Sequence, residues 1–374
     1  MDKILDIIEL IAYEKGLQIE VVQNIIKNEI LKLAKNIDPN KEYVTQIDKK
    51  DKTIKLFYKL KIVDEDTQDL DSSRFINIKQ AKDISHNSEI IIGDELLVEL
   101  NIDNLNLSRS SISNLFKDLE NSIEKNIENQ IFDNLKGSVG KIVNGVVISV
   151  DKNSEDTIIE LDSVRARLSR KNRIKGEKFN IGQNVSCILK NIYIDKKYGL
   201  QIELSRTSPK FLEELLRLEV PEINDGEVEI IKSARLPGIR AKVAVHSNIS
   251  KIDAVGATVG VKGVRINEIG KKIFGESIDV IEYCDVKEKF IANSLSPAKV
   301  VSIKIEDDTK ATISLYSDQK ARAIGKSGVN IRLASMLLGM NLEIIDLGSN
   351  PTLENSRDTI NNNGKELLES LFKS

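Results

Sequence analysis

The chain of 374 residues carries one order of elements twice, and each copy is interrupted between two helical stretches by a four-residue loop bounded by glycines. The loops are Gly260-Val261-Lys262-Gly263 and Gly325-Lys326-Ser327-Gly328. In the second copy, residues 300–305 and 311–316 alternate as strands around a Glu306-Asp307-Asp308 turn. A two-turn helix starts at Ser317, and a helix over 329–338 and a strand over 342–345 follow the loop. The first copy has strands near 227–234 and 239–246, a short helix from Ile252, a helix over 264–273 and a strand over 277–283. Helices over 209–218 and 286–294 lead the two copies, so the pattern is α-β-β-α-α-β, repeated. Glycines at both ends of the turn suit a ligand whose approach a Cβ would block, and a sugar-phosphate backbone is such a ligand. The helix after each loop then turns its free N–H groups and positive dipole end toward phosphate. Lys262 and Arg265 around the first loop, and Arg322, Lys326 and Arg332 around the second, add cations.

A Gly-x-x-Gly loop in this order resembles the KH domain, here of type II, which binds single-stranded RNA. Several longer runs narrow the resemblance: Glu219-Val220-Pro221-Glu222-Ile223, Ala241-Lys242-Val243-Ala244-Val245, Asp253-Ala254-Val255-Gly256-Ala257, Leu295-Ser296-Pro297-Ala298-Lys299-Val300, and the stretch from Ala323 through Ser335 that contains the second loop. Together these resemble the NusA family of bacterial transcription elongation and termination factors across nearly the whole chain. Ala254, where many members have proline, and Leu236, where a polar residue is usual, depart from the family pattern without touching the loops. The resemblance implies a multidomain α+β protein. Residues 1–134 would be an N-terminal α/β domain docking on RNA polymerase near the RNA exit channel, 135–206 an S1-type OB barrel, 207–285 and 286–350 two tandem KH domains, and 351–374 a C-terminal tail. It also implies a role in pausing, termination and antitermination on nascent single-stranded RNA, alongside other Nus factors, in a cytoplasmic monomer. The RNA-contacting set it implies is Gly260, Val261, Lys262, Gly263, Arg265, Arg322, Gly325, Lys326, Ser327, Gly328, Asn330, Arg332 and Ser335, with Arg170 and Lys171 of the barrel.

The rest of the chain fits a modular factor. Its length exceeds what one core usually organises. The formal net charge of −3 neither excludes nor supports RNA binding, because local sign decides it. Only 4% of residues are aromatic and none is tryptophan, so affinity should lean on phosphate contacts more than on base stacking. Cys187 and Cys284 are far apart, as two reduced thiols would be. The N-terminus lacks an apolar signal core, and no run reaches the length of a membrane span.

Residues 2–15 and 19–35 read as helices, the first closed by Gly16, followed by strands at 43–47, 53–60, 75–78 and 95–100. A long helix over 111–135 carries Ile112, Leu115, Leu119, Ile123, Ile127 and Ile131 as a stripe expected to pack on a core. Strands at 139–150, 157–161, 164–168, 184–191 and 200–204, with glycine bends, predict a small closed barrel. Its outer strands offer no aromatic pair for bases. The barrel should therefore contribute weakly through Arg165, Arg167, Arg170, Lys171 and Arg173, unless these form only a solvated basic loop. Pro209 and Pro221 bound the helix that leaves the barrel, and the short 295–298 linker should make the two KH units one stiff body. A tail helix is expected over 353–372.

Tempting catalytic signals fail. Gly325-Lys326-Ser327 would need a glycine at 320 to be a nucleotide-binding P-loop, and that residue is lysine. His86 and His246 are distant in sequence, and the carboxylate clusters fit turns and exposed helical faces, so no enzyme, metal or cofactor is expected. The alternatives are an RNA-processing protein and a ribosome-assembly module, which use similar domains.

Overall fold

The computed structural model describes residues 4–48, 50–64, 71–85, 91–100, 109–162 and 164–349. His86 and the expected tail helix lie outside the described residues. The chain divides into two compact units, Met1–Asn134 and Leu135–Ser374.

In the first unit, helices α1 (Ile4–Lys15) and α2 (Ile19–Ile37) are followed by strands β1 (Glu42–Asp48), β2 (Thr53–Val63) and β3 (Phe75–Asn77). Helix α3 (Ile78–Ser85), strand β4 (Glu95–Leu100) and helix α4 (Arg109–Lys136) complete it. Strand β2 pairs antiparallel with β1 and β4, and its end pairs parallel with β3. Ile8, Val22, Ile26, Ile30 and Leu56 form the core. The strand expected to reach Ile78 stops one residue earlier because the Asn77 carboxamide oxygen accepts the Gln80 N–H (2.9 Å) and starts α3. Of the stripe on α4, Leu119, Ile123 and Ile127 pack on the core, yet no residue of this helix is fully buried and Phe116 is 63% exposed.

The second unit opens with the barrel: β5 (Ile142–Val150), β6 (Thr157–Leu161), β7 (Val164–Leu168), β8 (Asn184–Asp195) and β9 (Gly199–Ser205), closed in the order β5-β6-β7-β9-β8. At Gly145 a Cβ would fall 2.5 Å from the Glu160 carbonyl oxygen, so β5 can cross the barrel there only as glycine.

Two matching sheets follow. The first repeat contains α5 (Pro209–Glu219), α6 (Pro221–Asn224), β10 (Glu229–Leu236), β11 (Arg240–His246), α7 (Ala254–Val259), α8 (Val264–Lys272) and β12 (Ser277–Glu282). The second contains α9 (Lys287–Ser294), β13 (Ser302–Asp307), β14 (Lys310–Leu315), α10 (Ser317–Ile324), α11 (Val329–Leu338) and β15 (Asn341–Asp346). In each, the first two strands form an antiparallel hairpin and the third returns parallel to the second. Parallel return needs a crossover, which the helix pair around the glycine loop supplies. Pro221 does more than end α5: it takes the first position of α6, where its missing N–H costs nothing.

These modules share cores. Ile174 and Ile188 of the barrel are buried with Phe211, Leu212, Leu215 and Leu216 of α5. Ala234, Ala244 and Ile281 of the first repeat's sheet are buried with Phe290 of α9 and Leu333 and Leu337 of α11. Besides the short linker, an apolar seam joins one repeat's sheet to the next repeat's helices.

Candidate nucleic-acid interface

The two glycine loops have the same backbone. Gly260 (φ 76°, ψ 168°) and Gly325 (φ 73°, ψ 171°) occupy a region that only glycine enters freely. Lys262 (φ 52°) and Ser327 (φ 53°) then take left-handed conformations, as do Gly263 and Gly328, which lead into α8 and α11. The first N–H of each helix is taken by a loop carbonyl, Val264 N–H by Val261 O and Val329 N–H by Lys326 O, and the positive end of each helix dipole lies at the loop. Val261, Lys262, Lys326 and Ser327 are exposed, Val261 by 83%. Arg322 and Arg332 are exposed as well, while Ser335 is half-buried two turns into α11.

Two residues of the sequence-derived set are spent on holding the loops. The Arg265 guanidinium donates to Glu222 Oε2 (2.8 Å) and to the Ala257 carbonyl (2.5 Å). Asn330, at the equivalent place in the second repeat, is buried, and its Nδ2 donates to the carbonyls of Leu295, Arg322 and Ala323 at 3.1–3.2 Å. A Cβ on Gly260 would meet the Arg265 side chain at 2.9 Å, and one on Gly325 would meet Asn330 N at 2.9 Å. Each first glycine is therefore required twice, by its φ/ψ and by the side chain that props the loop. Sequence spacing placed Arg265 and Asn330 near the loops but could not show where their polar atoms point.

On the barrel, Arg170 follows β7 in a short 3-10 turn and its Nε lies 3.4 Å from Glu155, whereas Lys171 is exposed and meets no carboxylate among the described residues. Arg167 pairs with Asp156, whose carboxyl stays below its usual range despite some burial because it bonds the Arg167 side chain and the Arg170 N–H. Arg173 is turned inward to the carbonyls of Glu155 and Glu177. The barrel does have exposed aromatic rings: Tyr193 is 39% and Tyr198 69% exposed, with the Lys197 ammonium 4.9 Å over the Tyr198 ring. Tyr193 lies in β8 past the strand end expected at Asn191, and Tyr198 lies in the β8–β9 turn, so strands read over 184–191 and 200–204 leave both out. His246 meets only the edge of the Tyr283 ring, and no group of three or more His, Cys, Asp or Glu that could hold a metal exists among the described residues.

A closed five-stranded barrel joined to two repeats whose glycine loops match in backbone conformation defines a multidomain nucleic-acid-binding protein of the tandem-KH class. Residues 3–129 match the NusA N-terminal domain family, 206–283 the NusA-like first KH domain and 287–351 the NusA-like second KH domain. The chain belongs to the NusA family. It is 40% identical to the transcription termination/antitermination protein NusA of Helicobacter pylori strain J99 over the full length of both chains. It is 35% identical to the Thermus thermophilus protein of that name, with 79% of this chain and 78% of that one covered. The Borreliella burgdorferi NusA is also 35% identical, over 89% of this chain and 67% of its own.

Proposed function

We propose that this protein is a transcription termination/antitermination factor that holds nascent single-stranded RNA on its two glycine loops while its N-terminal unit docks on RNA polymerase. The observation that carries the RNA reading is the identity of backbone conformation in the two loops, each opening a helix N-terminus beside exposed cations. Each KH site grips about four nucleotides. Because the repeats share a buried seam, both grips act on one strand with a raised effective concentration, so two weak contacts add into useful affinity. Gly260, Val261, Lys262, Gly263, Gly325, Lys326, Ser327 and Gly328 form the contact loops. Arg322 and Arg332 add charge, and Arg265 and Asn330 act by propping the loops. Ser335, Arg170 and Lys171 are outlying contacts. Residues 1–134 are the polymerase-docking domain, 135–206 the S1-type barrel, and 207–285 and 286–350 the RNA clamps. The factor works without catalysis, as a cytoplasmic monomer beside other Nus factors. No described helix is long and apolar enough to cross a membrane.

The decisive variant replaces Val261, Lys262, Lys326 and Ser327 together by Asp, placing negative charge where phosphate would lie. Single-stranded RNA affinity should collapse while the melting temperature hardly moves, since the positions are exposed. Retained affinity in the folded variant overturns the clamp assignment. Residues 1–134 alone should capture bacterial RNA polymerase without RNA, and failure to do so removes the docking role.

A further inference from the structure

Phe274 occupies a backbone position that the second repeat fills with glycine. Phe274 and Gly339 lie the same number of residues past the last glycine of their loops, and each follows the helix that the loop opens. Both are left-handed, at φ 64° and 72°. The same bond closes both caps, Gly275 N–H to Gly270 O (2.9 Å) in the first repeat and Met340 N–H to Ser335 O (3.2 Å) in the second. A helix ends this way with glycine because a Cβ strains the conformation, and a bulky residue there is an outlier. Burial does not offset the strain, since Phe274 remains 50% exposed. One side of its ring covers Gly176 of the barrel, where a Cβ would lie 3.3 Å from Cε1.

The ring walls a groove of about 340 Å³ between the barrel and the first KH repeat. Phe179, Lys178, Lys271 and Lys272 also line it. Glu177 and Arg206 at its floor neutralise each other at 2.7 Å. Lys271 and Lys272 each meet one carboxylate, Glu268 (2.6 Å) and Glu219 (2.7 Å), while Lys178 meets none among the described residues. The groove thus combines two partly exposed aromatic rings, Phe179 and Phe274, and the buried Phe211, in a chain with few, with an excess of ammonium groups. That combination suits a flat base attached to a phosphate, because the base finds a π face and the phosphate a cation.

We infer that this groove takes one nucleotide of single-stranded RNA, its base stacked on Phe274 and its phosphate toward Lys178, so that the strand is gripped outside the two glycine loops as well. The inference rests on the RNA-binding reading proposed above. The absence of tryptophan from the chain allows a direct test, because F274W has a single indole in the groove. Full-length F274W is titrated with an end-labelled single-stranded 20-mer RNA while label anisotropy and indole emission are followed together. Emission should be quenched in step with the rise in anisotropy, and polyglutamate should leave it unchanged. F274G, which removes backbone strain, should keep or raise the melting temperature yet weaken RNA binding about 5- to 150-fold, the range expected for one lost stack. K178E, a change at an exposed side chain, should weaken binding without changing the melting temperature. RNA that saturates the anisotropy with silent indole emission, F274G binding as tightly as the parent, or equal quenching by polyglutamate overturns the inference. If the parent itself shows no anisotropy change, the RNA-binding reading falls with it.

Discussion

The Arg206 guanidinium lies against the Glu177 carboxylate, Nη2 to Oε1 2.7 Å, with both side chains buried where the barrel's last strand passes into α5. Arg206 also donates to the carbonyls of Ser186 (2.5 Å) in the barrel and Lys272 (2.9 Å) at the end of α8. One side chain therefore ties three segments together, and the Phe211 ring lies 5.2 Å from its guanidinium carbon. Removing one partner leaves an uncompensated buried charge, which costs about 3–5 kcal/mol, whereas replacing both by apolar residues of similar size is close to neutral. R206M alone should lower the urea midpoint strongly, and R206M/E177L should recover much of the loss. Equal losses in the single and double variants would show that packing, not charge, holds this junction.

The two ends of the second loop should respond differently to alanine. At Gly328 (φ 73°, ψ 13°) nothing lies within 4 Å of a new Cβ, so only left-handed strain applies, about 1–2 kcal/mol. At Gly325 the Cβ meets Asn330 Cβ at 2.8 Å and its N at 2.9 Å, in a conformation that non-glycine residues almost never take. G325A should lose more stability than G328A in thermal melts and should also lose RNA affinity, because Asn330 must move. Similar melting temperatures for the two variants would contradict the propping role.

The two thiols should differ in reactivity. Burial pushes the Cys187 thiol up to about 12, against an ordinary value of 9.0, so at pH 8 it is neutral as well as inaccessible. Cys284 is only half-buried. Iodoacetamide should label Cys284 in the native protein and reach Cys187 only after unfolding, as mass spectrometry of peptides would show.

Acid should loosen the first loop through Glu222. Its carboxyl is held below the ordinary 4.5, first by the hydrogen bond from its own backbone N–H and then by the Arg265 side chain. A folded-state value below the unfolded one means that its contribution to stability is complete above pH 4.5 and is lost as pH falls through the depressed folded value. E222Q should therefore flatten part of the stability decline below pH 4.5, measured by denaturation at a series of pH values. An unchanged pH profile would mean that Arg265 holds its place through the Ala257 carbonyl alone.

Much of this architecture was legible in the chain because its signals are local. Strand alternation in 139–204 reads as a barrel, and the repeated strand, helix and glycine order reads as two KH units, since pleat, helical period and the φ/ψ demands of a tight turn act within a few residues. Strand alternation near Phe75 runs one residue further than the strand does, because an Asn77 cap, not hydrophobicity, starts α3.

The sequence by itself determined where the two glycine loops fall and that glycine suits both ends of each, because left-handed and more extreme backbone conformations strain any residue with a Cβ. It could not assign the polar atoms around them. Arg265 is satisfied by Glu222 and Asn330 by Leu295, partners that only folding brings close. Nor could it show that Phe274 stands half-exposed over Gly176, or that Arg206 and Glu177 close the junction between barrel and KH repeat. Hydrogen bonds and ion pairs act over about 3 Å, so what a polar side chain does depends on which distant segment packs against it, and the tertiary structure alone decides that.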